Sequence, residues 1–282
     1  MPHNTRIGIM HGRLSPSRDG RFQYFPKDDW REEFPQARNL GFSSIEWIVE
    51  VENFEANPLF NPEGRKEIQT QSKQHGVGVY SLCADYFMKK FLIGESGDEA
   101  AGVLRTMVSC ASEAGVSLIG IPLLEGAAPK TEDEKNECVV RLSPIVKEAQ
   151  HKGISFVFET EMTAEESIDF LERFSEEAKE DVSNAVGICY DIGNATSYGF
   201  DSAGDIKKLG KRIHEVHLKD RKKGTTQTVV LGTGDADFQG SFRALADIGF
   251  GGVIIMQAWR GEDYIEDAAV QLAYIKKIAD TV

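Results

Sequence analysis

Apolar and polar positions along this chain repeat one order: an amphipathic helical stretch, a glycine, a short apolar run, then a polar loop. The first apolar run, Ile7 to Met10, leads into the polar segment His11-Gly12-Arg13-Leu14-Ser15-Pro16. A helical spacing through Trp30, Phe34 and Ala37 closes at Gly41 and opens into Ile45-Glu46-Trp47-Ile48. Gln69 to His75 ends at Gly76 before Val77 to Leu82, and Ala101 to Ala114 stops at Gly115 before Leu118-Ile119-Gly120-Ile121. Cys138 to His151 repeats the pattern, with Gly153 ahead of Phe156-Val157-Phe158-Glu159. Val186 to Asp191 and Ile213 to Leu218 follow, and Val253 to Gln257 comes after the helix Phe242 to Ile248 and Gly249. Short runs of branched residues predict interior strands and the wider spacing predicts helices. A glycine just past a helix takes the left-handed cap conformation without a side-chain clash.

Strands alternating with helices imply right-handed crossovers and a parallel sheet, and eight such units predict closure. The expected fold is therefore α/β, a single (β/α)8 TIM barrel spanning residues 1–282 as one domain. No Gly-x-Gly-x-x-Gly follows the first strand, which disfavours a dinucleotide-binding fold. Asn53 to Gly64 and Glu95 to Asp98 are expected as loop excursions, and the acidic tract Glu172 to Asp181 as a solvated helix face.

Composition narrows the picture in three ways. At 41% hydrophobic and 27% charged, 282 residues suffice to bury a large core. A net charge of -13 argues against a nucleic-acid partner, which needs a basic face to displace counterions from phosphates. Cys83, Cys110, Cys138 and Cys189 show no Cys-x-x-Cys spacing and sit in or beside apolar runs, so they read as reduced core thiols, as in a cytosol. The opening Met1-Pro2-His3-Asn4-Thr5-Arg6 lacks the basic region and long apolar segment of a leader, and no apolar run is long enough to span a bilayer. The expected location is cytoplasmic, with no membrane contact.

In such a barrel the active site lies at the carboxyl ends of the strands. Those ends carry Glu46, Asp85, Glu159, Asp191, His217 and Gln257. The stretch Ile213 to Arg221 is the clearest case, an apolar strand running out into His217, Lys219, Asp220 and Arg221. Alone, His214 or His217 reads as a hydrogen-bonded core histidine. Two carboxylates and an imidazole on three successive strands, Glu159, Asp191 and His217, instead suit a divalent cation such as Mn2+, Mg2+ or Zn2+.

Tyr190-Asp191-Ile192-Gly193-Asn194, Val216-His217-Leu218-Lys219-Asp220 and Gly232-Thr233-Gly234-Asp235-Ala236-Asp237-Phe238 resemble motifs of the xylose isomerase-like sugar phosphate isomerase/epimerase superfamily. The pattern is most similar to its L-ribulose-5-phosphate 3-epimerase and hexulose-6-phosphate isomerase branch, most strongly from Phe156 to Trp259. The resemblance implies a metal held by Glu159, Asp191, His217 and the Gln257 position. It also implies ketose or ketose-phosphate substrates, chemistry through an enediolate with Glu159 as base, and frequent homo-oligomers. In that family's pattern a glutamate stands where this chain has Gln257. An amide oxygen still coordinates a hard cation, but a neutral amide takes no proton near neutral pH. Epimerisation in that family uses a carboxylate on each face of the sugar, whereas isomerisation needs one base. The expectation is thus an isomerase before an epimerase, unless Glu161, which shares Glu159's direction if its strand continues, supplies the second carboxylate.

Further candidates surround that centre. Lys219 is expected to point with His217 and to take part in catalysis. Arg13, Arg221 and Arg260 offer cations for a substrate phosphate, helped by backbone amides near Gly232 and Gly234. Glu46 and Asn194 offer hydrogen bonds to a sugar, and Trp259, like Trp47 and Tyr86, an aromatic face. Two other readings remain at this level: a sugar-binding barrel without turnover, for which Gln257 is the hint, and an endonuclease IV-like metal hydrolase, disfavoured by 6 histidines and the acidic balance.

Overall fold

The computed structural model describes residues 6–17 and 20–282; the reading made above of Met1–Thr5 lies outside them. Eight parallel strands close into a barrel, β1 (Ile7–Met10), β2 (Ile45–Ile48), β3 (Ser81–Cys83), β4 (Leu118–Leu123), β5 (Ser155–Thr160), β6 (Val186–Asp191), β7 (Ile213–Leu218) and β10 (Val253–Met256). The last of these pairs with both β7 and β1, which completes the ring. A two-stranded hairpin, β8 (Asp220–Arg221) with β9 (Thr228–Val229), projects beyond β7.

The helices are α1 (Trp30–Leu40), α2 (Pro62–His75), α3 (Gly97–Ala114), α4 (Glu132–His151), α5 (Ala164–Ala178), α6 (Ile192–Tyr198), α7 (Ser202–Leu209), α8 (Phe238–Asp247) and α9 (Tyr264–Ala279). Their apolar faces cover the outside of the barrel, so strand residues are buried on both sides. On β5, Phe158 turns outward and packs on Phe170 and Phe174 of α5, each at a ring-centroid distance of 5.4 Å, while Glu159 turns inward. Thr163 and Glu166 form a capping box at the start of α5, which fixes the helix just beyond the end of the strand that carries Glu159. Removing a ring such as Phe174 costs about 3–5 kcal/mol.

Several boundaries differ from the sequence reading. The run expected at Val77 to Leu82 is broken: Gly78 makes an isolated parallel bridge to Ser44, and the strand proper begins at Ser81. The presumed loop Asn53 to Gly64 already contains the start of α2, where Asn61 accepts from Gly64 N at 2.7 Å and Pro62 occupies the first turn. Proline there signals a helix start, because its missing N–H would be unpaired anyway. In the same way α3 begins at Gly97, inside the second presumed loop. The acidic tract is helical only as far as Ala178. All four cysteines are buried and unpaired. No helix among the described residues is long and apolar enough to cross a membrane.

Candidate active site

Period-two alternation on three adjacent strands builds the centre of the barrel mouth. The register of β6 on β7 sets Asp191 beside His217 and Cys189 beside Glu215. Asp191 ends β6 and its Oδ1 caps α6, accepting from Asn194 N at 2.8 Å. The Asn194 side chain then donates to Glu159 Oε1, while Glu159 Oε2 stands 3.7 Å from His217 Nδ1. Lys219 is buried, with Nζ 2.8 Å from Asp191 Oδ2 and 3.5 Å from Asn194 Oδ1. These five side chains form one connected cluster.

Its electrostatics separate the two carboxylates. Burial, followed by the neighbouring Asp191 charge, pushes Glu159 up to about 7. Burial would raise Asp191 too, but Lys219 and His217 outweigh it and hold Asp191 below its usual range. Of the pair, Glu159 is the group able to exchange a proton near neutral pH.

Beneath this layer lies a second acidic pair, of which the strand-end reading named Glu46, as a sugar contact, and missed Glu215. Glu46 on β2 is fully buried, with Oε2 3.1 Å from His217 Nε2, and Glu215 on β7 lies 4.0 Å from the same nitrogen. Both border Gly120, where a Cβ would lie at ordinary contact distance, 3.6 Å from Glu46 and 3.7 Å from Glu215. Burial pushes Glu46 well up, and burial with the Glu46 charge takes Glu215 to about 8. Glu46 therefore sits behind His217 in the barrel interior, fully shielded from solvent. Glu215 was legible in principle, since alternation points it with His217.

The β1–α1 segment adds a residue without any periodic signal, Gln23. Gln257 Nε2 donates to Gln23 Oε1 at 2.7 Å, and Gln23 Nε2 donates to Asp85 Oδ2 at 2.7 Å. Asp85 stands just beyond β3; burial raises it, against hydrogen bonds from Gln23 and Cys83. With its amide nitrogen so engaged, Gln257 keeps a buried Oε1 that has no hydrogen-bond partner among the described residues, as does His217 Nδ1. The unpartnered Gln257 Oε1, and His217 Nδ1 at 3.7 Å from Glu159 Oε2, fit the ligand roles expected of those residues toward a divalent cation. Ligand atoms of Glu159, Cys189 and His217 lie within 4.8 Å of one another, and so do those of Glu46, Glu215 and His217. Asp191 Oδ2 is shared with the Lys219 ammonium, and a carboxylate oxygen has lone pairs for both.

Most of the proposed phosphate contacts are engaged elsewhere. Arg13 donates to Ala258 O at 3.0 Å and Phe22 O at 2.6 Å and lies over the Phe22 ring. Arg260 donates to Gly12 O, to Ser15 O at 2.8 Å and to Arg21 O at 3.1 Å, which ties the segment after β10 to the loop after β1. The Gly232 and Gly234 amides both donate to Asp220 Oδ2 at 2.8 Å, so a carboxylate of the chain fills the anion nest. A Cβ on Gly234 would come 1.9 Å from Asp220 Oδ1, which is why glycine stands there. Arg221 remains, half-buried, its buried Nε without a hydrogen-bond partner among the described residues. Trp259 is half-buried beside Gly261. Trp47 packs outward between His11 and Trp30, and Tyr86 against Phe54 and Phe87. Glu161 lies past the end of β5 and accepts from Glu125 N at 2.5 Å.

A closed eight-strand barrel with this arrangement of strand-end residues belongs to a defined class: the family model described as "Xylose isomerase-like TIM barrel" matches residues 34–278, and the chain is a member of that family. Among its relatives, L-ribulose-5-phosphate 3-epimerase UlaE of Escherichia coli is 24% identical over 261 residues, covering 86% of each chain. The structure described as L-ribulose 3-epimerase superposes with a TM-score of 0.74 at 19% identity, covering 99% of this chain and 95% of that one. The IOLI protein, described with a binding zinc atom, superposes with a TM-score of 0.73 at 16% identity over 98% and 99% of the two chains.

Proposed function

We propose that this protein is a metal-dependent sugar isomerase or epimerase that starts turnover by removing the proton next to a ketose carbonyl, with Glu159 as the base. The observation that carries the reading is the buried cluster at the barrel mouth, in which Asn194 holds one oxygen of Glu159, the other stands 3.7 Å from His217 Nδ1, and Lys219 Nζ lies 2.8 Å from Asp191. Relatives described as epimerases of ribulose and ribulose 5-phosphate support the substrate class.

Each residue then has a task. Asn194 holds Glu159 by one oxygen and leaves the other for the proton. Glu159, Asp191, His217 and Gln257 would hold the cation, which when bound would polarise the sugar carbonyl as a Lewis acid. Lys219, buried and positive, stabilises negative charge developing on the sugar oxygens. Arg221 is the side chain left to meet a substrate phosphate.

The reading is tested by solvent deuterium incorporation, followed by NMR, into a panel of ketoses and ketose phosphates. Label at C1 marks isomerisation and label at C3 marks epimerisation, and exchange of the proton that faces Glu159 should vanish in Glu159→Gln. Absence of label from every sugar, with Mn2+ or Zn2+ supplied, would refute it and leave a binding barrel.

A further inference from the structure

We propose that Asp85 is the second proton-transferring carboxylate of this site, taking over the task that Gln257 cannot perform, so that the chain inverts a sugar carbon with Glu159 on one face and Asp85 on the other. The inference rests on the ketose reading above and extends it to a specific reaction.

Four observations converge on Asp85. First, the hydrogen bonds form a directed chain: Gln257 donates to Gln23, and Gln23 donates to Asp85 Oδ2. A chain of amides with its donors pointing one way ends on an acceptor, and the carboxylate at its end fixes both amide orientations. Second, among the described residues Asp85 Oδ1 accepts only from the weak thiol donor of Cys83, at 3.3 Å, which leaves lone pairs for a substrate. Third, Asp85 is half-buried at the mouth, whereas Glu46 and Glu215 are sealed inside the barrel. Fourth, in the closed ring β3 stands four strands from β7 and two from β5, so the chain position of Asp85 lies on the side of the mouth opposite β7 and apart from the Glu159 strand. Glu161, the other carboxylate considered, is turned to the Glu125 amide.

The step balances without any co-reactant. Glu159 as carboxylate takes the proton from C3, and the C–H electron pair becomes the C2–C3 double bond as charge moves to the C2 oxygen. Asp85 as carboxylic acid gives its proton to C3 from the opposite face, and the C2 carbonyl re-forms. Glu159 ends protonated and Asp85 ionised, and exchange with water restores both. The reverse epimer uses the two groups in exchanged roles.

A purely structural role, anchoring Gln23, predicts something else, and isotope exchange separates the two. In Asp85→Asn, the epimer whose C3–H faces Glu159 should still wash deuterium into C3, with inversion reduced at least about a hundredfold. The opposite epimer should stop exchanging. Glu159→Gln should give the mirror-image pattern, and Asp85→Glu should recover part of the inversion. Full inversion in Asp85→Asn would overturn the proposal. So would equal loss of exchange in both epimers from an Asp85→Asn protein with the wild-type circular dichroism spectrum. Should that variant not fold, Asp85→Glu decides alone: a wild-type ratio of exchange to inversion overturns the proposal, and an altered one supports it. Wild-type protein that labels C3 without inverting it, or labels only C1, removes this proposal and leaves the ketose reading intact. Wild-type protein that labels no ketose removes both.

Discussion

Replacing Gln257 by glutamate tests the link between the amide chain and the metal ligands in one experiment. In Gln257→Glu the donor to Gln23 Oε1, now at 2.7 Å, is lost, and two acceptors face each other. If Gln23 turns its amide to repair that contact, its oxygen faces Asp85 Oδ2, where its nitrogen now donates at 2.7 Å. One buried pair is thus left unsatisfied whichever way Gln23 points, at a cost of about 1–3 kcal/mol. For a chain of this size each kcal/mol moves Tm by roughly 2–3 °C, so the metal-free variant should melt about 2–9 °C below wild type. A cation reverses the order. A charged ligand in place of a neutral one should tighten Mn2+ binding at least about tenfold, and each tenfold adds ~1.4 kcal/mol of stabilisation at saturating Mn2+. The assay is thermal unfolding after chelation and across a Mn2+ titration. A Mn2+-dependent rise in Tm no larger than wild type's would refute Gln257 as a ligand, and an unchanged metal-free Tm would refute the amide chain.

Other consequences follow from the same geometry. Glu46→Gln, behind His217 Nε2, should weaken Mn2+ binding about 10–100-fold while the fold persists, because the partner that orients the imidazole is altered; isothermal titration calorimetry with wild-type affinity would count against it. Arg260→Ala strands three carbonyls that the guanidinium now satisfies, and should cost about 2–4 kcal/mol in urea unfolding. A loss confined to substrate KM with stability intact would instead place Arg260 on the substrate. His11, fully buried, lies 3.6 Å from Glu33, yet burial prevails and pushes its imidazole down to about 3. Because the folded value lies below the unfolded one, its contribution to stability is present at neutral pH and is lost as pH falls from about 6.5 toward 3. An NMR titration in which the His11 ring protonates near 6 in the folded protein would contradict this.

The sequence by itself determined the barrel and named the central side chains of the candidate site. Alternation of helical and strand periods, with glycine past the helices, yielded eight units in order, because secondary structure is written in spacings of a few residues. The strand ends then exposed Glu159, Asp191 and His217, since the active face of a barrel lies at the carboxyl ends of its strands. What the tertiary structure decided lies in contacts that no local spacing encodes. Gln23 meets Gln257 across 234 positions of chain only because ring closure sets β10 beside β1. Arg13, Arg221 and Arg260 look alike in sequence, but carbonyls brought in by the loop after β1 and by the segment after β10 engage the first and last and leave Arg221. Glu46, at a strand end in sequence, turns inward behind His217, because the pleat and the register of β2 choose its direction. Burial follows from closure as well, and burial is what pushes the Glu159 carboxyl up to about 7.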